Sequence, residues 1–233
     1  MKRAFLMFLV ALFLVSCGPS VNPQLKARIE PFFAKESGTS FGVSKKFFSP
    51  VPLAVGQYVV YGIIDEDGTR SISKTSIVGR ESGGWIYESY SLSETQEGIV
   101  QMLVRGIEKV RKSGNLDDIE LVWVKIKQED GQVQKIEGPV LAMAKSLYKK
   151  NLSNLDITVS RFVDGGTVKV PAGSFAKTNK VKSEVTMWGK KYKSTGWYHY
   201  AVPVTGMVKS VSDDGDSTMV LLDFGKRGAK SSF

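Results

Sequence analysis

From residue 54 onward, apolar and polar positions alternate in short runs broken by Asp-Gly and Gly-Gly pairs. This is the pattern of antiparallel hairpins rather than of helical crossovers. Residues 57–64 (QYVVYGII) are β-branched and aromatic, and Asp65-Glu-Asp-Gly68 follows as a turn. Residues 70–78 and 85–92 alternate on either side of Glu81-Ser-Gly-Gly84. Residues 119–128 (IELVWVKIKQ) predict another strand, returned through Glu129-Asp-Gly131 into residues 133–136. Further strands are predicted at 157–163, 167–170, 180–188 and 191–200. A last pair, 207–212 and 218–224, is joined across Asp213-Asp-Gly-Asp216.

Several of these runs are apolar on both faces. Tyr58, Val60 and Ile64 point one way while Val59, Tyr61 and Ile63 point the other, and Val220, Leu222 and Phe224 oppose Met219 and Leu221. A sheet wet on one side alternates more cleanly. The expectation is therefore a mainly β fold with minor α: a curved antiparallel sheet or open half-barrel, covered on its concave face by one or two helices or by a ligand. Helical spacing occurs twice. Val140, Leu141, Ala144, Leu147 and Tyr148 share a face in 139–151, with Pro139 at the start and Lys149 and Lys150 at the negative end of the dipole. Ile99, Met102, Leu103, Ile107 and Val110 do so in 96–112, behind a Ser93-x-x-Gln96 capping-box pattern. Gly106 interrupts that run and leaves a strand followed by a loop as the alternative.

The N-terminus has a different pattern. Lys2 and Arg3 precede an unbroken apolar run from Ala4 to Val15. Its 12 residues make a helix of about 18 Å against a hydrocarbon core of about 30 Å, too short to span and fitting for a secretory signal. The chain's one cysteine, Cys17, follows directly in Leu14-Val15-Ser16-Cys17-Gly18. This resembles the lipobox of bacterial lipoproteins. The resemblance implies cleavage between Ser16 and Cys17, a diacylglyceryl group on the Cys17 thiol and acylation of the new amino terminus. With Gly18 rather than Asp after the cysteine, it also implies an outer-membrane anchor facing the periplasm, the inner membrane or cell surface being the alternatives. The expected organisation is a signal peptide over 1–16, a lipidated and proline-punctuated tether over 17–53 with one short helical turn at 24–29, and a single antiparallel β domain over 54–233.

Composition changes the picture in three places. At 42% hydrophobic and 24% charged, the 233-residue chain is ordinary for a globular protein. Its formal charge of +9 falls to +7 once Lys2 and Arg3 leave with the signal. One histidine and one cysteine exclude an internal disulfide and most His-based metal sites. His199, in Trp197-Tyr-His-Tyr200, has no nucleophile motif around it and reads as a structural histidine. The chain contains no His-Glu-x-x-His and no phosphate loop. Asp213, Asp214 and Asp216 lack the distal Glu of a calcium loop and read as a hairpin turn. The expectation is a non-enzyme with no metal and no cofactor.

One patch stands out. Lys177, Lys180, Lys182, Lys190, Lys191 and Lys193 fall close together with Trp188, Tyr192 and Trp197 among them, opposed by Glu184. Lysines interleaved with aromatics suit nucleic acid, but an exported, membrane-anchored protein does not meet it. Anionic lipid headgroups or lipopolysaccharide phosphates are the natural counterpart. The plainer alternative is a soluble hairpin whose lysines discourage edge pairing.

Val170-Pro-Ala-Gly-Ser-Phe175, Trp197-Tyr198, Val202-Pro203, Gly206-Met-Val-Lys209, Gly56-Gln-Tyr-Val-Val-Tyr61 and Ile77-Val-Gly79 resemble small envelope lipoproteins placed near the lipoprotein-carrier (Lol-type) fold. That likeness implies an open, strongly curved half-barrel closed by helices. Two functions fit: a lipid-anchored module holding an apolar or lipid-like ligand, such as a lipoprotein tail, on a concave β face, or a non-catalytic structural or interaction subunit with a protein partner in the envelope.

Overall fold

Each tight turn brings a strand back beside its predecessor. The computed structural model shows the resulting sheet in residues 21–43, 51–113, 118–128, 130–142, 156–187 and 190–233. Helix α1 (Pro23–Ala34) and strand β1 (Ser40–Phe41) come first. Four hairpin strands follow: β2 (Tyr58–Asp65), β3 (Arg70–Glu81), β4 (Gly84–Leu92) and β5 (Glu97–Arg105). After helix α2 (Ile107–Ser113) come β6 (Glu120–Lys127), β7 (Val133–Ile136), β8 (Asp156–Val159) and β9 (Val163–Asp164). Next are β10 (Val168–Val170), β11 (Gly173–Phe175) and β12 (Asn179–Met187). The described chain closes with β13 (Lys190–Tyr198), β14 (Met207–Ser212) and β15 (Ser217–Gly225).

Twelve strands form one sheet in the order β7-β6-β5-β4-β3-β2-β15-β14-β13-β12-β8, with β9 also on β12. Its ends do not meet, so the large antiparallel sheet stays open, as the sequence pattern led us to expect. Register shifts at Ile77/Gly79, Leu103/Val104, Trp197/Tyr198 and Leu221/Asp223 mark bulges, and each bulge bends its strand and adds local twist.

The two-sided apolar pattern has its cause in two covering layers. On one face, Val59, Tyr61, Ile77 and Leu221 pack against Phe175 of a second, three-stranded sheet (β1-β11-β10), against Ala172 in its β10–β11 turn and against Val202 and Val204 of the loop before β14. Phe41 stacks on Phe175 with ring centroids 4.5 Å apart. We call this the small-sheet face. On the opposite, helix face, Val60, Ile72, Leu92 and Leu222 pack against Ile29 of α1, with Leu25 and Phe33 beside it. Each such side chain contributes roughly 1.5–3 kcal/mol on leaving water.

Residues 22–41 thus do more than tether. Asn22 caps α1 by accepting from the Gln24 N–H at 2.9 Å, and Pro23 occupies the first helical turn. The expected turn at 24–29 is a 12-residue helix whose Leu25, Ile29 and Phe33 stripe (i, i+4, i+8) is buried on the sheet. Gly62 makes room for it: a Cβ there would overlap the Phe33 ring.

The helix expected over 96–112 is corrected. Residues 97–105 form β5, paired with both β4 and β6. Ser93 closes the β4–β5 turn instead of capping a helix: its N–H donates to the Gln96 carbonyl at 2.8 Å and its Oγ accepts from the Gln96 N–H at 3.1 Å. Ile99, Val100 and Val104 are β-branched, and two full ladders of backbone bonds outweigh a helical spacing. Helix begins only after Gly106, which turns the chain with φ of 81° beside the Asp118 backbone, where no Cβ fits. α2 then buries Ile107 and Val110. Of the expected helix at 139–151, residues 138–142 are helical with Leu141 buried, and the rest lies outside the described residues.

Candidate functional site

Strand alternation and register sort the lysines. On β12, Lys180, Lys182, Glu184 and Thr186 share a face, and they pair with Trp197, Thr195, Lys193 and Lys191 of β13. Lys209 of β14 lies opposite Trp197 and is itself opposite Val220, which belongs to the helix-face core. Lys180, Lys182, Lys191, Lys193 and Lys209 therefore occupy the helix face of the sheet, on the wing beyond α1. Lys182, Lys191 and Lys193 are exposed, and Lys180 and Lys209 are half-buried.

Trp197 organises the inner pair. Lys180 Nζ lies 5.3 Å and Lys209 Nζ 5.8 Å from its ring centroid, within cation–π range. Glu184 organises the outer pair, at 2.8 Å from Lys191 Nζ and 3.6 Å from Lys193 Nζ. The hydrogen bond from Lys191 holds the Glu184 carboxyl below the usual carboxylate range, with the nearby charges of Lys191 and Lys193 adding to it. Among the described side chains of β12–β14, five lysines against one glutamate leave this face positive.

Not all six sequence-predicted lysines join it. Lys177 sits in the turn before β12, exposed and with φ of 48°. Lys190 pairs with Met187 at the hairpin end of β13. Lys209, which the sequence reading missed, takes part through register alone, since Met207-Val-Lys209 lies across a loop from the cluster. Ser16, Cys17 and Trp188 lie outside the described residues.

No family model matches the chain, and no curated protein gives a match. Several solved structures are similar, among them the following two. One, provisionally described as an exported protein with a YmcC-like fold from Bacteroides fragilis, is 15% identical, covers 75% of this chain and 97% of its own, and has a TM-score of 0.36. The other, provisionally described as a lipoprotein from Parabacteroides distasonis, is 16% identical, covers 79% of this chain and 100% of its own, and has a TM-score of 0.36. At this degree of superposition they define neither the fold nor the task of this chain.

The remaining candidate groups are engaged in the fold. His199 is buried, with its ring edge toward Phe175, and it uses both nitrogens. Nδ1 accepts from the Ala201 N–H at 3.1 Å, which leaves Nε2–H to donate to the Gly42 carbonyl at 2.7 Å. Burial holds its pKa below the ordinary histidine value, the Gly42 contact opposing that in part. Beside it, the Tyr61 hydroxyl donates to the Met207 carbonyl at 2.8 Å and contacts Thr205 Oγ1, while that oxygen accepts from the Met207 N–H. Burial pushes the Tyr61 phenol up. Asp213 accepts from Thr195 Oγ1 at 3.1 Å and Asp214 accepts from the Asp216 N–H, as turn residues do. Asp65, Glu66, Asp67, Thr69 and Asp216 line an open depression of about 680 Å³. Among the described residues, no group of three or more His, Cys, Asp or Glu side chains is placed to hold a metal ion.

Proposed function

We propose that this chain is a lipid-anchored, non-catalytic envelope protein whose β body meets anionic, phosphate-bearing lipid headgroups through the lysine face of β12–β14. The lipobox-like Leu14-Val15-Ser16-Cys17 supports the anchor, through acylation at Cys17 after cleavage from Ser16, and the Gly18 that follows supports the outer membrane. One observation carries the contact surface: register gathers Lys180, Lys182, Lys191, Lys193 and Lys209 around Trp197 on one face. Lysines near an anionic surface contribute about 1 kcal/mol each. An indole held between two ammonium groups adds an amphipathic ring of the kind that sits at headgroup level.

The lysine face is better supported than an apolar ligand on a concave β face. The two-sided apolarity that suggests such a ligand is accounted for by α1 and the small sheet. The test is co-sedimentation of residues 18–233, which retain every described residue, with phosphatidylglycerol and with phosphatidylcholine vesicles. Binding is expected to the first and not to the second. Lys182→Gln with Lys193→Gln is expected to weaken it by about 2 kcal/mol, roughly thirtyfold. Equal binding to both vesicle types, or no loss in the double variant, contradicts the reading.

A further inference from the structure

The position at which the chain enters the fold says which end of the body lies next to the membrane. Asn22 donates its backbone N–H to the Glu94 carbonyl at 2.7 Å, so the start of α1 is fixed to the β4–β5 turn. Two ion pairs lock the same joint. Lys26 Nζ lies 3.2 Å from Glu94 Oε1. Arg28 grips Glu97 through both carboxylate oxygens, at 2.7 and 2.8 Å, and also reaches the Tyr90 hydroxyl at 3.2 Å. These contacts compensate Glu94 of the turn and Glu97 at the start of β5 and hold α1 to the sheet. Cys17 is five residues before Asn22. Five residues span at most about 18 Å even when fully extended.

We infer that the β4–β5 turn, residues 93–96, is the membrane-proximal end of the body, and that the β3–β4 turn at Ser82–Gly83 is the distal end. The inference rests on the Cys17 anchor proposed above. β4 has nine residues, so the two turns stand roughly 27 Å apart along the strand. A tether of about 18 Å at full reach keeps the joint at Asn22 near the headgroups, so the distal turn is the farther end in every pose in which β4 stands off the surface. The acidic turn Asp65–Asp67 is at the same sheet end, two strands away. Sheet twist of roughly 20–25° per strand pair turns it about 45° from the anchor.

The lack of a second cysteine makes the test clean. In the lipidated full chain the Cys17 thiol is blocked, so Thr95→Cys or Ser82→Cys each supplies the sole free thiol for a fluorophore. The labelled proteins are reconstituted into phosphatidylethanolamine–phosphatidylglycerol vesicles that carry a nitroxide on a fraction of the headgroups. Strong quenching is expected at position 95 and several-fold weaker quenching at 82, with matching thermal unfolding of both variants confirming the fold. Equal quenching, or stronger quenching at 82, overturns the orientation while leaving the anchor intact. Labelling of the parent chain at Cys17 would overturn the anchor and, with it, the orientation.

Discussion

His199 is the chain's one histidine, and both its nitrogens are committed to backbone groups in the neutral form. Protonation would turn Nδ1 from an acceptor into a second donor facing the Ala201 N–H. The folded-state pKa therefore lies below the ordinary value of 6.5. Between the two values the unfolded chain binds more protons than the folded one, so stability is full above that value and is lost as pH falls below it. No other side chain ordinarily titrates between about pH 5.5 and 8. Urea midpoints are expected to hold steady above pH 6.5 and to drop as the pH falls below it in the parent chain, and this dependence is expected to flatten in His199→Gln; an unchanged slope in the variant would contradict the assignment. Val204 shows a related commitment nearby. It is β-branched, yet it holds φ of 61° while buried in the small-sheet core. Such a conformation costs roughly 1–3 kcal/mol and persists because the surrounding packing fixes it. Nothing in the residue type announces this, and only the environment explains it.

Among the elements, α1 and β5 show what a single sequence discloses. The hairpins were legible because Asp-Gly and Gly-Gly turns punctuate β-branched runs. The Leu25, Ile29 and Phe33 stripe is equally regular, but Pro23 and Pro31 around it give the composition of a tether. Pro23 in fact serves the helix start, where its missing N–H is no loss. In β5 Ile99, Met102 and Leu103 fit a helical spacing (i, i+3, i+4), while Ile99 and Leu103 also fall on one face of a strand. Pairing with β4 and β6 decided it, and a local window carries no information about partners so far away. Gly106 was the one legible boundary, since its positive φ separates strand from helix. Docking of α1 yields a direct prediction. Ile29 is 1% exposed, so Ile29→Ala is expected to cost about 2–5 kcal/mol and to speed amide exchange across α1 more than across β12–β13. A loss under about 1 kcal/mol with unchanged exchange would mean that α1 is not held as described.

At the scale of the whole molecule, an open sheet of twelve strands has a centre and two wings. The centre is covered on both faces by the chain's own N-terminal helix and small sheet. On the β12–β14 wing the helix face bears lysines around Trp197. The sequence disclosed the lysines as a run but could not sort them, because only register reveals that Lys191 and Lys193 share a face with Lys180 and Lys182. Lys209 was hidden for the same reason. Electrostatic contact at such a wing weakens as salt shortens the screening length from about 10 Å at 0.1 M to about 3 Å at 1 M, so vesicle binding is expected to fall steeply over that range.

The orientation of the body presupposes that the chain is held at the membrane by Cys17. The most direct test is the mass of the N-terminal peptide of the protein recovered from bacterial membranes. The account predicts a chain that begins at Cys17, has lost residues 1–16 and carries the added mass of a diacylglyceryl group and an amide-linked acyl chain. A peptide beginning at Met1, or one containing an unmodified Cys17, would contradict it.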